Sequence, residues 1–236
     1  VSVIGDTEFC DQAIRNLVLQ AVSLHSPEDL QLAFLVPPAA RENWEWVRRL
    51  PHILDQEQPT AFGPVPRISE TMSELSALLR SNIQRRYQTT AELRRTPANH
   101  TVVNLNQPRL LVIDLRHSGP VENFSAGAAT DLEMMGITVI HALRNQLEEP
   151  GDVSARLVQN NNSIHNKNKD RKNQAGPGDG GEAVPAAEVE VQRLDADGSV
   201  AQRHTGVLDE SDVALAQAIS RVLAPMRLSH DSLCLL

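Results

Sequence analysis

A loop with the potential for phosphate chemistry begins at Gly5, directly after the short apolar run Val1–Ile4, which predicts a buried strand. A phosphate-binding loop of the form Gly-x-x-x-x-Gly-Lys-[Ser/Thr] offers backbone amides to the phosphates, a lysine that neutralises them and a hydroxyl for Mg²⁺. Here the loop reads Gly5-Asp6-Thr7-Glu8-Phe9-Cys10-Asp11. Only the first glycine fits, and Asp6, Glu8 and Asp11 add negative charge where a polyphosphate requires positive charge. The pattern therefore disfavours ATP binding of the usual kind, and it also lacks the Gly-x-Gly-x-x-Gly of a dinucleotide site.

A second candidate for chemistry is Asp114, which ends the apolar run Leu110–Ile113. An aspartate after four apolar residues is the pattern in which a carboxylate helps to hold Mg²⁺ beside a nucleotide. The next residue is usually a glutamate when the enzyme hydrolyses ATP, because that carboxylate orients the attacking water. Here it is Leu115. We therefore favour a strand whose last residue meets solvent over a metal-binding role.

The histidines and cysteines show no spacing typical of metal ligands. The histidines considered are His25, His52, His117, His141 and His204. We interpret them as surface or helix-end residues. Cys10 lies at a predicted helix start, which would lower its pKa, but the neighbouring carboxylates act in the opposite direction. We predict neither a metal site nor a reactive thiol.

The most distinctive segment of the chain combines two tryptophans with basic residues. It reads Trp44-Glu45-Trp46-Val47-Arg48-Arg49-Leu50-Pro51-His52. One interpretation is a docking surface, because Trp and Arg are enriched at protein interfaces. Its residues would be Trp44, Trp46, Arg48, Arg49 and His52. The other is that the indoles simply cover a sheet edge, and the sequence leaves both open. Stacking on nucleic acid is disfavoured by the formal net charge of −8.

The strands and helices predicted around these residues alternate along the chain, which indicates an α/β domain. A strand at Val1–Ile4 is followed by a helix with apolar residues at helical spacing over Ala13–Val22, for which Asp11 is a candidate cap. A second strand, Leu30–Val36, follows, and this order implies a parallel pair with a right-handed crossover. Only 3% of the 236 residues are aromatic, so the core must be aliphatic, as in a parallel sheet covered by helices. We predict a three-layer fold with a mostly parallel sheet.

The rest of the chain continues this pattern. The further predicted elements are a helix after Ile68 with Ser69 as its cap, strands at Leu110–Asp114, Ile137–His141 and Val153–Val158, a hairpin of Glu188–Leu194 and Ser199–His204, and a last helix at Glu210–Ala224. Residues 159–187 are rich in Asn, Lys and Gly and predict a flexible insert. We therefore divide the chain into a nucleotide-binding-like core at 1–158, the insert at 159–187, and a hairpin and helix at 188–236 that complete the same domain.

Composition also indicates the kind of cellular compartment in which the protein works. Two cysteines far apart in sequence do not form a disulfide framework and suggest a reducing compartment. No apolar run reaches the roughly 18 residues of a membrane helix. The chain starts at Val1 with a predicted strand and ends on an apolar tail, so we expect it to be a piece of a longer protein.

Three stretches of the sequence carry a resemblance to a known family. They are Arg15-Asn16-Leu17-Val18-Leu19 with His25-Ser26-Pro27-Glu28-Asp29-Leu30, Trp44-Glu45-Trp46 with Leu50-Pro51-His52, and Leu223-Ala224-Pro225-Met226-Arg227-Leu228. In this order they resemble the type VII secretion motor ATPases, the EccC-type members of the FtsK/SpoIIIE-like group. The stretches bracket nearly the whole chain.

The resemblance implies a P-loop NTPase fold of the RecA/FtsK-like type with an eroded nucleotide site. Aligning the helix from Arg15 places Cys10 at the lysine position, Asp11 at the Ser/Thr position and Asp114 at the position of the Mg²⁺-binding aspartate. The vestigial site would comprise Gly5, Asp6, Thr7, Cys10, Asp11 and Asp114. The resemblance implies no cofactor in this domain, with ATP and Mg²⁺ bound by other modules of the parent protein.

The implied function is that of a pseudo-ATPase domain that couples a membrane complex to downstream ATPase modules at the cytoplasmic face of a bacterial membrane. Its partners would be the other subunits of that complex and the adjacent ATPase modules, with secreted proteins as indirect partners and no nucleic acid. Two alternatives stay open, a regulatory domain with weak ATP affinity and a module of an FtsK-like DNA translocase. The DNA alternative requires a basic surface at the distal end of the long helix. Its residues would be Arg85, Arg86, Arg94 and Arg95.

Overall fold

The computed structural model describes residues 1–61, 63–95, 107–117, 132–151, 153–160 and 188–226. Its strands are β1 (Ser2–Ile4), β2 (Leu30–Leu35), β3 (Leu54–Thr60), β4 (Gly63–Pro66), β5 (Ile68–Ser69), β6 (Arg109–Asp114), β7 (Ile137–Leu143), β8 (Ala155–Gln159), β9 (Glu188–Leu194) and β10 (Val200–Val207). Its α-helices are α1 (Thr7–Leu24), α2 (Arg41–Trp44), α3 (Met72–Arg95) and α4 (Val213–Leu223), with 3-10 turns at Pro38–Ala40, Glu45–Arg49, Pro51–Ile53 and Gln146–Glu148. The insert was predicted at 159–187, but Gln159 is the last residue of β8. Residues 161–187 lie outside the described residues.

Eight strands form one sheet in the order β10-β9-β8-β1-β7-β6-β2-β5, and β3 and β4 form a separate ribbon. The pairs from β8 to β5 are parallel, whereas β8–β9 and β9–β10 are antiparallel. Six strands, in the order β8-β1-β7-β6-β2-β5, are therefore parallel. The predicted fold class is confirmed.

One detail of the predicted topology is wrong. β1 and β2 are parallel members of the same sheet, but β7 and β6 lie between them. The crossover through α1 therefore spans two strands instead of joining neighbours. The reason is that β6 and β7 are mostly apolar and mostly buried, and such strands are best placed where helices cover both faces of the sheet.

Helices cover both faces of the sheet and make three layers. Alternate residues of a strand point to opposite faces: on β2, Leu32 and Phe34 join the core beneath α1, whereas Ala33 and Leu35 join the core beneath α3. Ala216 of α4 belongs to the first of these cores. The sheet is thus buried between α1 with α4 on one face and α3 on the other.

Two predicted helix caps are wrong by a few residues. The N-cap of α1 is Asp6, whose side chain accepts a hydrogen bond from the Phe9 amide at 2.8 Å, and Asp11 lies buried within the helix. At the start of α3, the Glu74 amide donates to the Thr71 hydroxyl at 3.3 Å, and Ser69 is part of β5. In both places the nearest polar residue before the first helical turn acts as the cap.

The predicted C-terminal hairpin and helix are confirmed. β9 and β10 pair antiparallel across a turn in which Gly198 has a positive φ of 81°, a conformation that glycine adopts without strain. Asp212 caps α4 by accepting from the Leu215 amide at 2.6 Å. No helix in the described part of the chain is long and apolar enough to cross a membrane.

Candidate functional site

The loop after β1 begins at Gly5, whose amide donates to the Leu143 carbonyl on β7 at 3.1 Å. A side chain at this position would have its Cβ only 2.6 Å from the Phe9 ring and 2.7 Å from Gln159 Oε1. Both distances are shorter than real Cβ contacts allow. The close approach of Phe9 and Gln159 therefore favours glycine at this position, and a bound phosphate is not needed to explain it.

Gln159, the last residue of β8, makes this closure. Its Oε1 accepts a hydrogen bond from the Asp6 amide at 2.9 Å, and its Nε2 donates to Asp6 Oδ2 at 2.7 Å. The Asp6 amide is the kind of backbone donor that would bind a phosphate oxygen at a helix start. In this chain the donor is already bound to a neutral amide oxygen.

Cys10, at the position that would require lysine, points into the core instead of toward the loop. The side chain is fully buried, and Sγ lies 3.4 Å from the Val3 carbonyl and 3.6 Å from the Leu143 carbonyl. Burial raises the pKa of the Cys10 thiol to about 12. It is therefore a neutral core residue at physiological pH and supplies neither positive charge nor a nucleophile.

Asp11, at the position that would require Ser or Thr, is also buried and is held by two other elements. Its Oδ1 lies 3.3 Å from Trp44 Nε1, which donates to it, and 3.3 Å from His117 Nε2. His117 follows β6 by three residues and has a left-handed φ of 57°, a conformation that histidine adopts more readily than most residues. The Asp11 carboxylate is thus bound by two other groups of the chain.

Asp114 ends β6 as predicted, but it does not face solvent. It is 5% exposed, and Arg116 binds it through Nε to Oδ1 at 3.0 Å and through Nη2 to Oδ2 at 2.8 Å. His141 Nδ1 on the neighbouring β7 lies 3.6 Å from Oδ2. Burial acts to raise the pKa of Asp114, but His141 and Arg116 outweigh it and hold the pKa at about 2. The simpler interpretation of a solvent-facing strand end is therefore wrong, because this carboxylate forms an internal ion pair.

A shallow cavity remains beside the loop. It has a volume of about 520 Å³ and is lined by Ile4, Gly5, Asp6, Thr7, Arg144, Val158 and Gln159. Thr7 is the exposed first residue of α1, and Arg144 is an exposed cation that follows β7. Within the described residues, no group of three His, Cys, Asp or Glu side chains is arranged to hold a metal ion.

Sequence reasoning missed the residues that fill this site. Gln159 directly follows the strand predicted at Val153–Val158 and was assigned to the insert, whereas it ends β8 beside the loop at Gly5. Arg116 and His117 follow Asp114 directly in sequence. Their partners, however, depend on the turn after β6, which no spacing pattern indicated.

The tryptophan segment is in the interior, so the predicted docking surface is wrong for three of its five residues. Trp44 and Trp46 are each 1% exposed, and their rings stack at 5.8 Å. His52 is 2% exposed, and its Nε2 contacts the His25 carbonyl at 2.8 Å. The tryptophans are buried because the core is largely aliphatic. Few other side chains of this chain are large enough to fill the space that the two indoles fill. Arg48 and Arg49 remain exposed.

The basic surface that a DNA-binding role would require, at the distal end of α3, lacks one of its four predicted arginines. Arg86 is 1% exposed, and it donates to the Pro108 carbonyl at 2.6 Å and the Met135 carbonyl at 3.1 Å. These hydrogen bonds connect α3 to the loops before β6 and β7. Arg86 therefore cannot bind DNA phosphates in this structure. The side chains of Arg94 and Arg95 lie outside the described residues.

Comparison with known proteins agrees with the sequence resemblance. The ESX secretion system protein EccC of Thermomonospora curvata is 24% identical over 225 residues, which are 95% of this chain and 14% of that protein. The chain resembles the EccC proteins of type VII secretion. The ESX-4 secretion system protein EccC4 of Mycobacterium tuberculosis is 29% identical over 83 residues, 35% of this chain and 7% of that protein. No protein-family model matches the sequence.

Solved structures of EccC-like proteins also overlap with the chain. The structure of EssC ATPases 2 and 3 from Geobacillus thermodenitrificans gives a TM-score of 0.48 at 13% identity and covers 96% of this chain and 43% of that one. This chain spans 14% of the T. curvata EccC. What a whole EccC protein does is therefore not a property of this chain alone.

Proposed function

We propose that this chain is a degenerate ATPase domain of an EccC-type secretion protein, which works without binding Mg-ATP. The observation that carries the proposal is the occupation of its eroded site by the chain's own groups. Gln159 binds the loop amide, Trp44 and His117 bind Asp11, and Arg116 binds Asp114. A nucleotide would have to displace these contacts and then meet the unfavourable charge of Asp6 and Glu8.

Electrostatics supports the same proposal. A phosphate site usually combines backbone amides with a lysine or arginine held close to the phosphates. Here the lysine position is a buried neutral thiol, and the cation nearest the loop among the described residues that line the cavity is the exposed Arg144. Water screens an exposed charge strongly, so Arg144 compensates weakly for the carboxylates of the loop.

The domain would act through its surfaces. In this proposal it lies on the cytoplasmic side of a bacterial membrane, in a membrane-anchored protein whose other modules bind ATP and Mg²⁺. It would couple the subunits of the membrane complex to those modules and would meet secreted proteins only indirectly. Arg48 and Arg49, which remain exposed beside the buried tryptophans, are the candidates for such a contact.

Calorimetric titration of the 1–236 chain with Mg-ATP up to millimolar concentration tests the first part of the proposal. We expect no saturable heat. A matched titration with the Arg144→Ala variant shows whether any heat that does appear depends on the arginine that lines the cavity. One-site saturable binding by the unaltered chain would contradict the proposal.

The coupling role is tested in the parent protein by reversing the exposed charges. We expect Arg48→Glu with Arg49→Glu to reduce export while the parent's ATPase activity stays unchanged. Arg80→Glu, a charge reversal at another exposed position, on α3, is the control. Normal export by the double variant would exclude this surface from coupling.

A regulatory domain with weak nucleotide affinity is the second candidate. The cavity of about 520 Å³ beside Gly5 and Thr7, with Arg144 on its wall, is the observation that favours it. The same calorimetric titration decides between the two candidates, since this one requires saturable binding that Arg144→Ala weakens.

A further inference from the structure

The two edges of the main sheet differ in length and exposure. The β5 edge consists of two residues, Ile68 and Ser69, which are half-buried or buried. The opposite edge, β10, runs for eight residues from Val200 to Val207, and every one of them is exposed. Val207 is 62% exposed and Val200 40%. A long exposed edge presents a row of backbone donors and acceptors that no other strand of the described sheet uses.

β10 carries few of the features that normally protect an edge strand. Such strands are commonly interrupted by proline or lysine, shortened, or covered by a helix or loop. β10 contains no proline and no lysine. Its one irregularity lies at its beginning, between Val200 and Gln202. The six residues that follow form a regular template for another strand.

The strand already paired with β10 indicates which sequence pairs well with it. Its partner there is β9, in which glutamate and valine alternate over 188–191, and the two strands pair antiparallel from Val207↔Glu188 to Gln202↔Arg193. Arg203 Nε donates to Glu190 Oε1 at 3.1 Å and is still 59% exposed. β10 has no carboxylate of its own, so its charge comes from Arg203.

We propose that the outer edge of β10 binds an extended segment of a partner polypeptide, in which acidic and aliphatic residues alternate as they do in β9. Backbone hydrogen bonds would supply most of the affinity, and acidic side chains opposite Arg203 would select the sequence. A second copy of the chain is the less suitable occupant. Antiparallel pairing of two β10 strands brings together two segments that have an arginine and no carboxylate, and like charges on paired strands are destabilising.

The test uses a fluorescein-labelled peptide with the β9 sequence, Glu-Val-Glu-Val-Gln-Arg-Leu, titrated with the 1–236 chain and followed by fluorescence anisotropy. We expect saturable binding. The control peptide has lysine in place of both glutamates and should bind about fivefold more weakly, since one or two cross-strand ion pairs change from attraction to repulsion. Equal binding of the two peptides would overturn the acidic selectivity, and no binding of either would overturn the site.

Charge reversal on the protein places the contact at Arg203. Arg203→Glu should exchange the preference, so that the lysine peptide binds more tightly than the glutamate peptide. Arg203 is 59% exposed, but its substitution also removes the ion pair with Glu190, so the thermal unfolding midpoint of the variant is measured alongside binding. An unchanged preference would show that the peptides bind elsewhere.

Two proline variants separate the edge from the rest of the sheet. Neighbouring residues of a strand direct their amides to opposite edges, so His204→Pro and Thr205→Pro remove one outward and one inward donor. The variant that loses the outward donor should keep its thermal unfolding midpoint and lose peptide binding. Retention of binding by both folded variants would overturn the proposal. Analytical ultracentrifugation of the unaltered chain gives a second check. If the chain forms a dimer, and the variant that loses the outward donor does not, the edge pairs with a second copy and the proposal is overturned.

Discussion

Two regions have the strongest functional signal in the sequence: the loop that resembles a phosphate-binding loop, and the tryptophan segment. They differ in how the structure uses their polar and aromatic side chains. The loop at Gly5–Asp11 has the position of a ligand site and is occupied by polar groups of the chain, led by Gln159. The segment Trp44–His52 has the composition of a contact surface and is buried in the aliphatic core. The two regions meet where Trp44 Nε1 donates to Asp11 at 3.3 Å.

This comparison shows that the polar groups of the loop and of the β6 end are paired by other groups of the chain. Buried amides and carboxylates are costly unless they are hydrogen-bonded or paired. Asp11 and Asp114 would each need such a partner in the absence of Mg²⁺, and the chain supplies Trp44 with His117 to one and Arg116 to the other. The tryptophan segment thus helps to stabilise the buried carboxylate of Asp11.

The largest effect is expected when the link between the two regions is removed. Trp44→Ala deletes a fully buried indole and one partner of Asp11, and should lower the free energy of unfolding by about 4 kcal/mol. Urea denaturation measures this change. Arg48→Ala, four residues away and exposed, should change it by about 0.5 kcal/mol or less. Similar losses in the two variants would mean that the segment is not part of the core.

A finer comparison uses the two tryptophans. Trp46 Nε1 is buried and has no hydrogen-bond partner among the described residues, whereas Trp44 Nε1 donates to Asp11. Trp44→Phe should therefore cost about 1 kcal/mol more than Trp46→Phe, the usual value of one hydrogen bond. Equal costs would show that the Asp11 contact contributes nothing.

The second effect concerns the internal ion pair of Asp114. Its folded-state pKa of about 2 lies below the ordinary value of 3.8, so ionised Asp114 stabilises the fold above pH 4 and this contribution is lost as the pH falls toward 2. Asp114→Asn should cost about 2 kcal/mol at pH 7. The cost should shrink when unfolding is measured between pH 4 and pH 3. A cost that does not change with pH would indicate that packing, not charge, is lost.

The third effect tests how tightly the loop is closed. Gly5→Ala places a Cβ 2.6 Å from the Phe9 ring and should destabilise the chain by about 1.5 kcal/mol. Gly151→Ala, where a Cβ would meet nothing within 4 Å, is the matched control and should be nearly neutral. Thermal unfolding compares the two. A neutral Gly5→Ala would mean that the loop is more open than described.

The order of the elements was predictable from the sequence, but the contacts that fill the site were not. Strands such as Leu110–Asp114 and the Gly198 hairpin follow from local patterns that act within a few residues. The pairing of Asp6 with Gln159 joins residues 153 positions apart, and no local pattern encodes it. The burial of Trp44 and Trp46 depends on how much space the aliphatic core leaves, which is a property of the whole fold.

The smallest effect concerns the closure itself. Gln159→Ala removes two hydrogen bonds to Asp6 at a partly exposed position and should cost about 1 kcal/mol. It should not create affinity for Mg-ATP, because Asp6 and Glu8 remain. Calorimetry checks the second point, and binding by this variant would show that Gln159 alone excludes the nucleotide.

The most direct test of the central claim is a residue-resolved one. In ¹⁵N-labelled 1–236 chain, the backbone amide of Asp6 and the side-chain amide of Gln159 report the contact that occupies the loop. Both signals should remain unchanged when Mg-ATP is added to 10 millimolar, about the upper end of the concentrations at which weak sites fill. A concentration-dependent shift of the Asp6 amide, with saturation, would show that a nucleotide displaces Gln159 and would contradict the account.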